Sequence, residues 1–161
     1  MNRVLAFTLV LFVSFSFGFA SSAQASPLPA RAENAKKIVV VVESEHLTGI
    51  VPDGRTIEVR LKVTIEGDDP SSLIGEGRAF CSCGPHNYFP ATGSINGAVV
   101  TLSGTVTDSS SAFLIGSPVT VVADSTTGQI TFTFGPYAGG PFVGQIGTWT
   151  GTGKVKIKGA H

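Results

Sequence analysis

The sequence contains few charged residues, and neither sign of charge is concentrated along it. Charged side chains make up 14% of the 161 residues, and 11 Lys and Arg balance 11 Asp and Glu. A nucleic-acid-binding face needs clustered Lys and Arg side chains, so the sequence predicts no nucleic-acid partner. Because the apolar content is 42%, the composition also argues against intrinsic disorder.

Recognisable catalytic motifs are missing as well. The chain has no G-x-S-x-G nucleophile motif, and its only candidate histidine bases are His46, His86 and His161. Alternation along a strand places His46 on the face opposite Glu43 and Glu45, which disfavours a direct pairing of imidazole and carboxylate. The sequence therefore favours a non-enzymatic protein over an enzyme, and it indicates no cofactor.

An apolar segment near the N-terminus indicates export. Residues 4–20 carry no charge, follow Arg3 and precede Ala23-Gln24-Ala25, which has the small-x-small form of a signal peptidase site. We expect the mature protein to be secreted or periplasmic, and free of the membrane after cleavage. The predicted organisation is a signal peptide over residues 1–25, a flexible arm over 26–35 and a single all-β domain over 36–161.

Most of the remaining chain alternates apolar and polar residues with the period of two that is typical of strands. One-sided burial of this kind favours an antiparallel sheet. Residues 36–43 instead contain five consecutive β-branched residues behind two lysines, which predicts a strand buried on both faces. Asn96-Gly97 predicts a tight hairpin with both residues at the centre of a type I′ turn. The alternation is clearest for Ile57, Val59, Leu61, Val63 and Ile65.

About eight strands joined by short turns, without a convincing helix, predict an all-β fold. An antiparallel β-sandwich and a small closed β-barrel both fit this pattern. A closed barrel requires the last strand to pair with an early one, and Gly151 and Gly153 suit a strand that bends at such a closure. The same glycines suit an edge strand, so the sequence leaves both architectures open.

Cys81, Cys83 and His86 form the one unusual cluster of reactive side chains. An oxidising compartment favours a disulfide between the two cysteines, although so short a loop contributes only roughly 1.6 kcal/mol in the chain-entropy model. The same three side chains suit zinc or copper, but they are one ligand short of a closed tetrahedral zinc site. Unpaired or intermolecular thiols are the third interpretation, so the state of the two cysteines remains open.

Residues 135–147 form a long loop that is rich in glycine and proline. Long loops on rigid β scaffolds often carry binding residues. Aromatic side chains in and around this loop can stack on a sugar or line an apolar pocket. The candidate binding residues are Tyr88, Tyr137, Phe142 and Trp149.

These observations support three functional hypotheses. The leading one is an exported, non-enzymatic binding or structural module whose partner is a small molecule, a glycan or a protein. The first alternative is a small β-barrel that binds or isomerises an apolar small molecule, for which we expect a dry pocket lined by Phe132, Phe134 and Trp149. The second alternative is a redox or metal-binding protein centred on Cys81, Cys83 and His86.

Overall fold

The computed structural model describes residues 37–159, so the predicted signal peptide and flexible arm lie outside the described residues. The described part consists of strands and two single turns of 3-10 helix. None of its helices is long and apolar enough to cross a membrane. The elements are β1 (Ile38–Ile50), β2 (Thr56–Gly67), β3 (Leu73–Cys81), β4 (His86–Asn96), β5 (Val99–Thr105), β6 (Asp108–Ser109), η1 (Ala112–Leu114), β7 (Pro118–Asp124), β8 (Gln129–Phe134), η2 (Gly140–Phe142), β9 (Gly147–Thr152) and β10 (Lys154–Lys158).

The strands close into an eight-stranded antiparallel β-barrel. Sequential pairing runs through β1, β2, β3, β4, β5, β7, β8 and β9, and β9 then pairs with β1. The short β6 pairs only with β4 and stands outside the barrel wall. The all-β prediction is thus confirmed, and of the two architectures that the sequence leaves open the protein has the closed barrel, because β9 bonds to the first strand rather than ending at an open edge.

Closure of the barrel depends on the length of β1 and on the break between β9 and β10. One half of β1 pairs with β10 over Val39–Glu43, and the other half pairs with β9 over Thr48–Ile50. Gly153 separates β9 from β10, and a Cβ atom there would collide with the carbonyl oxygen of Glu43. Only glycine allows so close an approach, as expected for a strand that bends at the closure.

The barrel interior is filled by the inward-facing residue of each alternating pair. In β2, Val59, Leu61, Val63 and Ile65 are buried, as the alternation predicts. The prediction that β1 is buried on both faces is wrong, because Val40 and Val42 are fully buried whereas Val39 and Val41 are only half-buried. The strand has one face in the barrel interior, and its other face lies on the outer wall.

Two local predictions need correction. Asn96 pairs with Val99, so the connecting residues of the hairpin are Gly97 and Ala98 rather than Asn96 and Gly97. Of these two connecting residues only Gly97 has a positive φ, at 60°, which fits a turn that needs left-handed backbone only at its first central residue. The run 112–124, predicted as strand up to a break near Pro118, begins instead with η1.

The two ends of the barrel differ in their connections. At one end, called here the turn end, neighbouring strands are joined by residues 68–72, 97–98 and 125–128. At the other end, called the loop end, two of the connections are longer and carry β6, η1 and η2. The loop-end connections are residues 51–55, 82–85, 106–117 and 135–146.

Candidate ligand cavity at the loop end

A cavity of about 210 Å³ opens at the loop end of the barrel. Phe132, Phe134 and Trp149, which the sequence analysis places together at a pocket, all line it. Most of the other lining side chains are apolar too. The remaining lining residues are Val51, Arg55, Ile57, Val59, Ala79, Cys81, Cys83, Pro85, Asn87, Phe113, Leu114, Tyr137 and Phe142.

An unbroken series of aromatic rings forms one side of the cavity. Phe132 and Trp149 are direct cross-strand partners in β8 and β9, and their ring centroids lie 5.6 Å apart. Phe132 also contacts Phe134 at 6.2 Å, and the series continues from Phe134 to Tyr137 at 5.1 Å and from Tyr137 to Phe142 at 6.1 Å. These separations are typical of favourable aromatic packing. The rings therefore extend from the barrel wall into the loop of residues 135–146.

Two glycines make room for the indole of Trp149. Gly49 is its cross-strand neighbour in β1, and a Cβ atom there would lie 2.7 Å from Trp149 Cδ1. A Cβ atom at Gly147 would collide with Cη2 at the opposite edge of the ring. Trp149 is only 3% exposed, and its Nε1 has no hydrogen-bond partner in the part of the chain that the structure describes.

The loop of residues 135–146 is held by its own backbone hydrogen bonds. The Tyr137 N–H donates to the Gln145 carbonyl at 2.9 Å, and the Gly144 N–H donates to the Tyr137 carbonyl at 3.0 Å. The Ala138 N–H donates to Oγ of the fully buried Ser117 at 2.9 Å, which joins this loop to residues 106–117. The aromatic residues of the loop are thus positioned by an ordered backbone.

Three polar side chains reach the cavity, and each has a distinct environment. Arg55 forms an ion pair with Asp53, with Arg55 Nη2 and Asp53 Oδ2 2.6 Å apart. Burial raises the pKa of the Tyr137 phenol, and the charge of Asp53 raises it further. Asn87 Oδ1 accepts a hydrogen bond from Ser109 Oγ at 2.7 Å. The cavity therefore offers a neutral phenol, an amide and a guanidinium whose charge is already paired.

Cys81 and Cys83 are a close pair on the cavity wall. Their Cα atoms lie 5.0 Å apart, and their sulfur atoms are in direct contact. The His86 ring packs edge-on against Phe80 on the outside of the barrel, with centroids 4.8 Å apart. Among residues 37–159 no three His, Cys, Asp or Glu side chains gather in a way that could hold a metal ion.

Three of the four aromatic candidates meet in the cavity, and the fourth does not. Tyr137, Phe142 and Trp149 line it, whereas Tyr88 is exposed and packs edge-on against Phe80 at 6.2 Å. Alternation along β4 explains the difference, because Asn87 and Phe89 face the interior and Tyr88 between them must face outward.

Some cavity residues were missed by the sequence analysis. Asn87 occupies an inward position two residues before the buried Phe89, so the period-two pattern of β4 contained the signal that locates it. Phe113 and Leu114 belong to η1, where strand alternation does not apply and no comparable signal exists. Arg55 follows the Pro52-Asp53-Gly54 turn, and its place at the cavity depends on how the barrel closes.

A larger depression of about 500 Å³ lies on the outer wall and is dominated by charged residues. Lys62 pairs with Glu43 at 3.4 Å, and Arg60 pairs with Glu45 at 3.5 Å. A bulge between Ser44 and Leu47 turns His46 outward, contrary to the expected alternation, and its Nδ1 lies 3.3 Å from Glu58 Oε2. Most of the charged side chains of this depression are already paired with one another, whereas the cavity at the loop end is lined mostly by unpaired apolar side chains, so that cavity is the better candidate.

No protein-family model matches the chain, and no curated protein or solved structure shows significant similarity to it. The barrel alone does not define a function, because one fold supports many unrelated activities. The function must therefore be inferred from the cavity and its chemistry.

Proposed function

We propose that this protein is an exported, non-enzymatic binding module that holds a small apolar molecule inside the loop end of its barrel. The observation that carries this proposal is the cavity bounded by Phe132, Phe134, Tyr137, Phe142 and Trp149. Apolar, concave sites with a few polar groups are typical of small-molecule binding proteins.

The size of the cavity limits the ligand. An engineered apolar cavity of about 150 Å³ takes up benzene, so about 210 Å³ suits a single substituted ring or a branched aliphatic compound of similar bulk. A polysaccharide or a folded protein partner would not enter this space. Flat aromatic walls gain dispersion energy from such a guest without requiring polar contacts.

The ionisable groups at the cavity favour binding over catalysis. No histidine or carboxylate is among the described residues that line it, so the wall offers neither of the usual general bases. Its one guanidinium, on Arg55, is paired with Asp53. Retention of a guest is the activity that this lining supports.

The surroundings of the cavity also suit an apolar guest. Several large apolar side chains at the loop end are exposed to solvent, which favours transfer of a poorly soluble compound from a membrane or a carrier. These side chains are Ile50, Phe113, Ile115, Val143 and Ile146.

Titration with ethylbenzene, with glucose as the polar comparison, tests the proposed function. Trp149 is the single tryptophan, so its fluorescence reports directly on the cavity. We expect a saturable change with ethylbenzene at a Kd on the order of 0.1 mM, and none with glucose. Phe142→Ala should weaken binding about tenfold through lost apolar contact.

The matched control is Val122→Ala, which shortens an exposed apolar side chain on the outer wall. It should leave the ethylbenzene affinity unchanged. The proposed function is wrong if ethylbenzene produces no saturable change in the wild-type protein, or if Val122→Ala weakens binding as much as Phe142→Ala does.

We also propose that the close pair of Cys81 and Cys83 is a disulfide in the exported protein. Both residues line the cavity, so a bond between them would fix the connection at residues 82–85 as part of its wall. Intact mass should rise by about 2 Da on reduction, and two free thiols in the unreduced protein would rule out the bond.

A further inference from the structure

We infer that the ligand of this cavity carries a neutral oxygen acceptor, a carbonyl group, which binds the side-chain amide nitrogen of Asn87. The inference rests on the proposed function and specifies the class of compound that the cavity takes. An aromatic or branched aliphatic ketone, aldehyde or ester of about one ring in size belongs to this class.

Asn87 is a buried polar side chain in a mostly apolar cavity wall. It is 5% exposed and it lines the cavity. Alternation along β4 directs it inward, as it does the buried Phe89 two residues later. Buried polar groups in folded proteins are nearly always hydrogen-bonded, so both ends of this amide call for a partner.

A serine binds the oxygen end of the amide and fixes its orientation. Ser109 is the cross-strand partner of Asn87 in β6, and its hydroxyl donates to Asn87 Oδ1 at 2.7 Å. This distance is typical of O–H···O bonds, whereas N–H···O bonds centre on about 2.9 Å. Ser109 Oγ also accepts the Ser111 N–H at 3.1 Å, which leaves its own hydrogen for Asn87. The amide oxygen is therefore satisfied by the chain, and the amide nitrogen is the remaining end.

The amide nitrogen of Asn87 is unpaired but not enclosed. Nδ2 carries two N–H donors, and it makes no side-chain hydrogen bond within residues 37–159. In the same range, Trp149 Nε1 is the only side-chain nitrogen or oxygen that is both without a partner and fully enclosed. Asn87 Nδ2 therefore retains accessible surface, and because Asn87 lines the cavity, that surface opens into it.

Asn87 lies across the interior from the aromatic wall. In the closed order β1, β2, β3, β4, β5, β7, β8, β9, strand β4 is four places from β9 in both directions, so the two strands stand on opposite sides of the barrel. Trp149 belongs to β9, and the Phe132 ring packs beside it at 5.6 Å. A guest whose ring packs against these side chains can therefore direct a substituent to the Asn87 amide.

The charge distribution indicates that the acceptor is neutral. An ionised carboxylate would lose its hydration inside an apolar cavity and would need a cation to compensate. The only cation in the described lining is Arg55, whose guanidinium is bound by Asp53 and is largely exposed. A carbonyl oxygen accepts an amide N–H with a much smaller loss of hydration.

Acetophenone and ethylbenzene provide a matched pair of probes, because they have nearly the same shape and differ in one carbonyl oxygen. Asn87→Leu removes the amide and keeps an inward side chain of similar volume. We expect this variant to bind acetophenone about tenfold more weakly than the wild type, because the buried carbonyl loses its donor, while ethylbenzene affinity stays within about threefold. Tyr88→Phe, at the adjacent outward position of β4, is the matched control and should leave both affinities unchanged.

A second measurement uses the wild-type protein alone, so it does not depend on folding of the variant. In a ¹⁵N-labelled sample the side-chain amide of Asn87 gives two N–H signals. Acetophenone should move one of them downfield, because that N–H gains an acceptor. Ethylbenzene, which brings the same ring without the oxygen, should not.

The outcomes separate this inference from the proposed function. If Asn87→Leu changes the affinities for the two probes by the same factor, or if acetophenone leaves the Asn87 amide signals in place, the carbonyl is not bound by Asn87 although the apolar cavity still binds its guest. Binding of ethylbenzene without binding of acetophenone in the wild-type protein would also overturn the inference alone. Absence of binding by both probes would overturn the proposed function itself and this inference with it.

Discussion

The two ends of the barrel are built on the same strands, yet one is filled and the other is hollow. Toward the turn end, the branched aliphatic side chains of Ile65 and Leu102 both pack over Gly93, and Leu73 is fully buried beside the turn. Toward the loop end, Phe132, Phe134 and Trp149 line the wall and leave a cavity of about 210 Å³. Branched side chains projecting from opposite walls meet across the interior, whereas rings that stack on one another along the wall do not fill it.

The connections between strands also differ between the turn end and the loop end. Short turns close one end of the barrel, while residues 106–117 and 135–146 fold over the other end and contribute Phe113, Tyr137 and Phe142 to the cavity. The turn end is closed by short connections, whereas the loop end carries the cavity in which we propose that the ligand binds. The predictions below test whether stability and ligand binding can be changed separately.

The largest expected effect belongs to the filled end. Ile65→Ala should lower the free energy of unfolding by about 3 kcal/mol, because it removes a fully buried side chain and leaves a void over Gly93. Urea denaturation measures this loss. The affinity for ethylbenzene should stay at the wild-type value. A loss below about 1 kcal/mol would mean that the turn end is not the tightly packed half.

A smaller effect on stability, coupled to binding, is expected at the hollow end. Gly147→Ala places a methyl group in the space of the Trp149 ring, which must shift toward the cavity. We expect about 1–3 kcal/mol of lost stability together with weaker ethylbenzene binding. Thr148→Ala, at the adjacent exposed position, is the control and should change neither property. Unchanged binding in Gly147→Ala would show that the indole position does not shape the cavity.

The smallest effect concerns acid stability at the turn end. Backbone N–H groups of Thr127 and Thr126 lower the pKa of Asp124 below its ordinary value of 3.8. A lowered pKa in the folded state means that the charged form stabilises the fold above about pH 4. That contribution is lost as the pH falls through the lowered pKa.

Asp124→Asn removes the charge, so its stability should fall less steeply than that of the wild type below about pH 4. Thr126→Ala retains the backbone N–H and should keep the wild-type slope. Thermal unfolding between pH 2 and about pH 6 compares the three proteins. Identical slopes for Asp124→Asn and the wild type would contradict this assignment.

Much of the barrel was predictable because its determinants are local. Alternation in β2 and around Phe132 identifies the inward faces, and Gly153 marks the bend that permits closure. Closure itself depends on pairing between β1 and β9, two strands at opposite ends of the described chain. No local pattern distinguishes that pairing from an open edge.

The cavity was predictable only in part, for the same reason. Three aromatic residues of β8 and β9 could be placed on one inward face from their spacing. Two irregularities break the period of two. One is the bulge in β1 that turns His46 outward, and the other is the 3-10 turn that places Phe113 at the cavity. Their positions follow from contacts between distant segments, which a pattern within one segment does not contain.

The first strand, β1, begins and the last strand, β10, ends at the same end of the barrel. Val39 pairs with Lys158, so the start of β1 and the end of β10 lie together at the turn end, opposite the cavity. A surface attachment made near Lys158 would therefore hold the barrel by the end opposite the cavity, which gives a way to immobilise the domain with the cavity facing the solution.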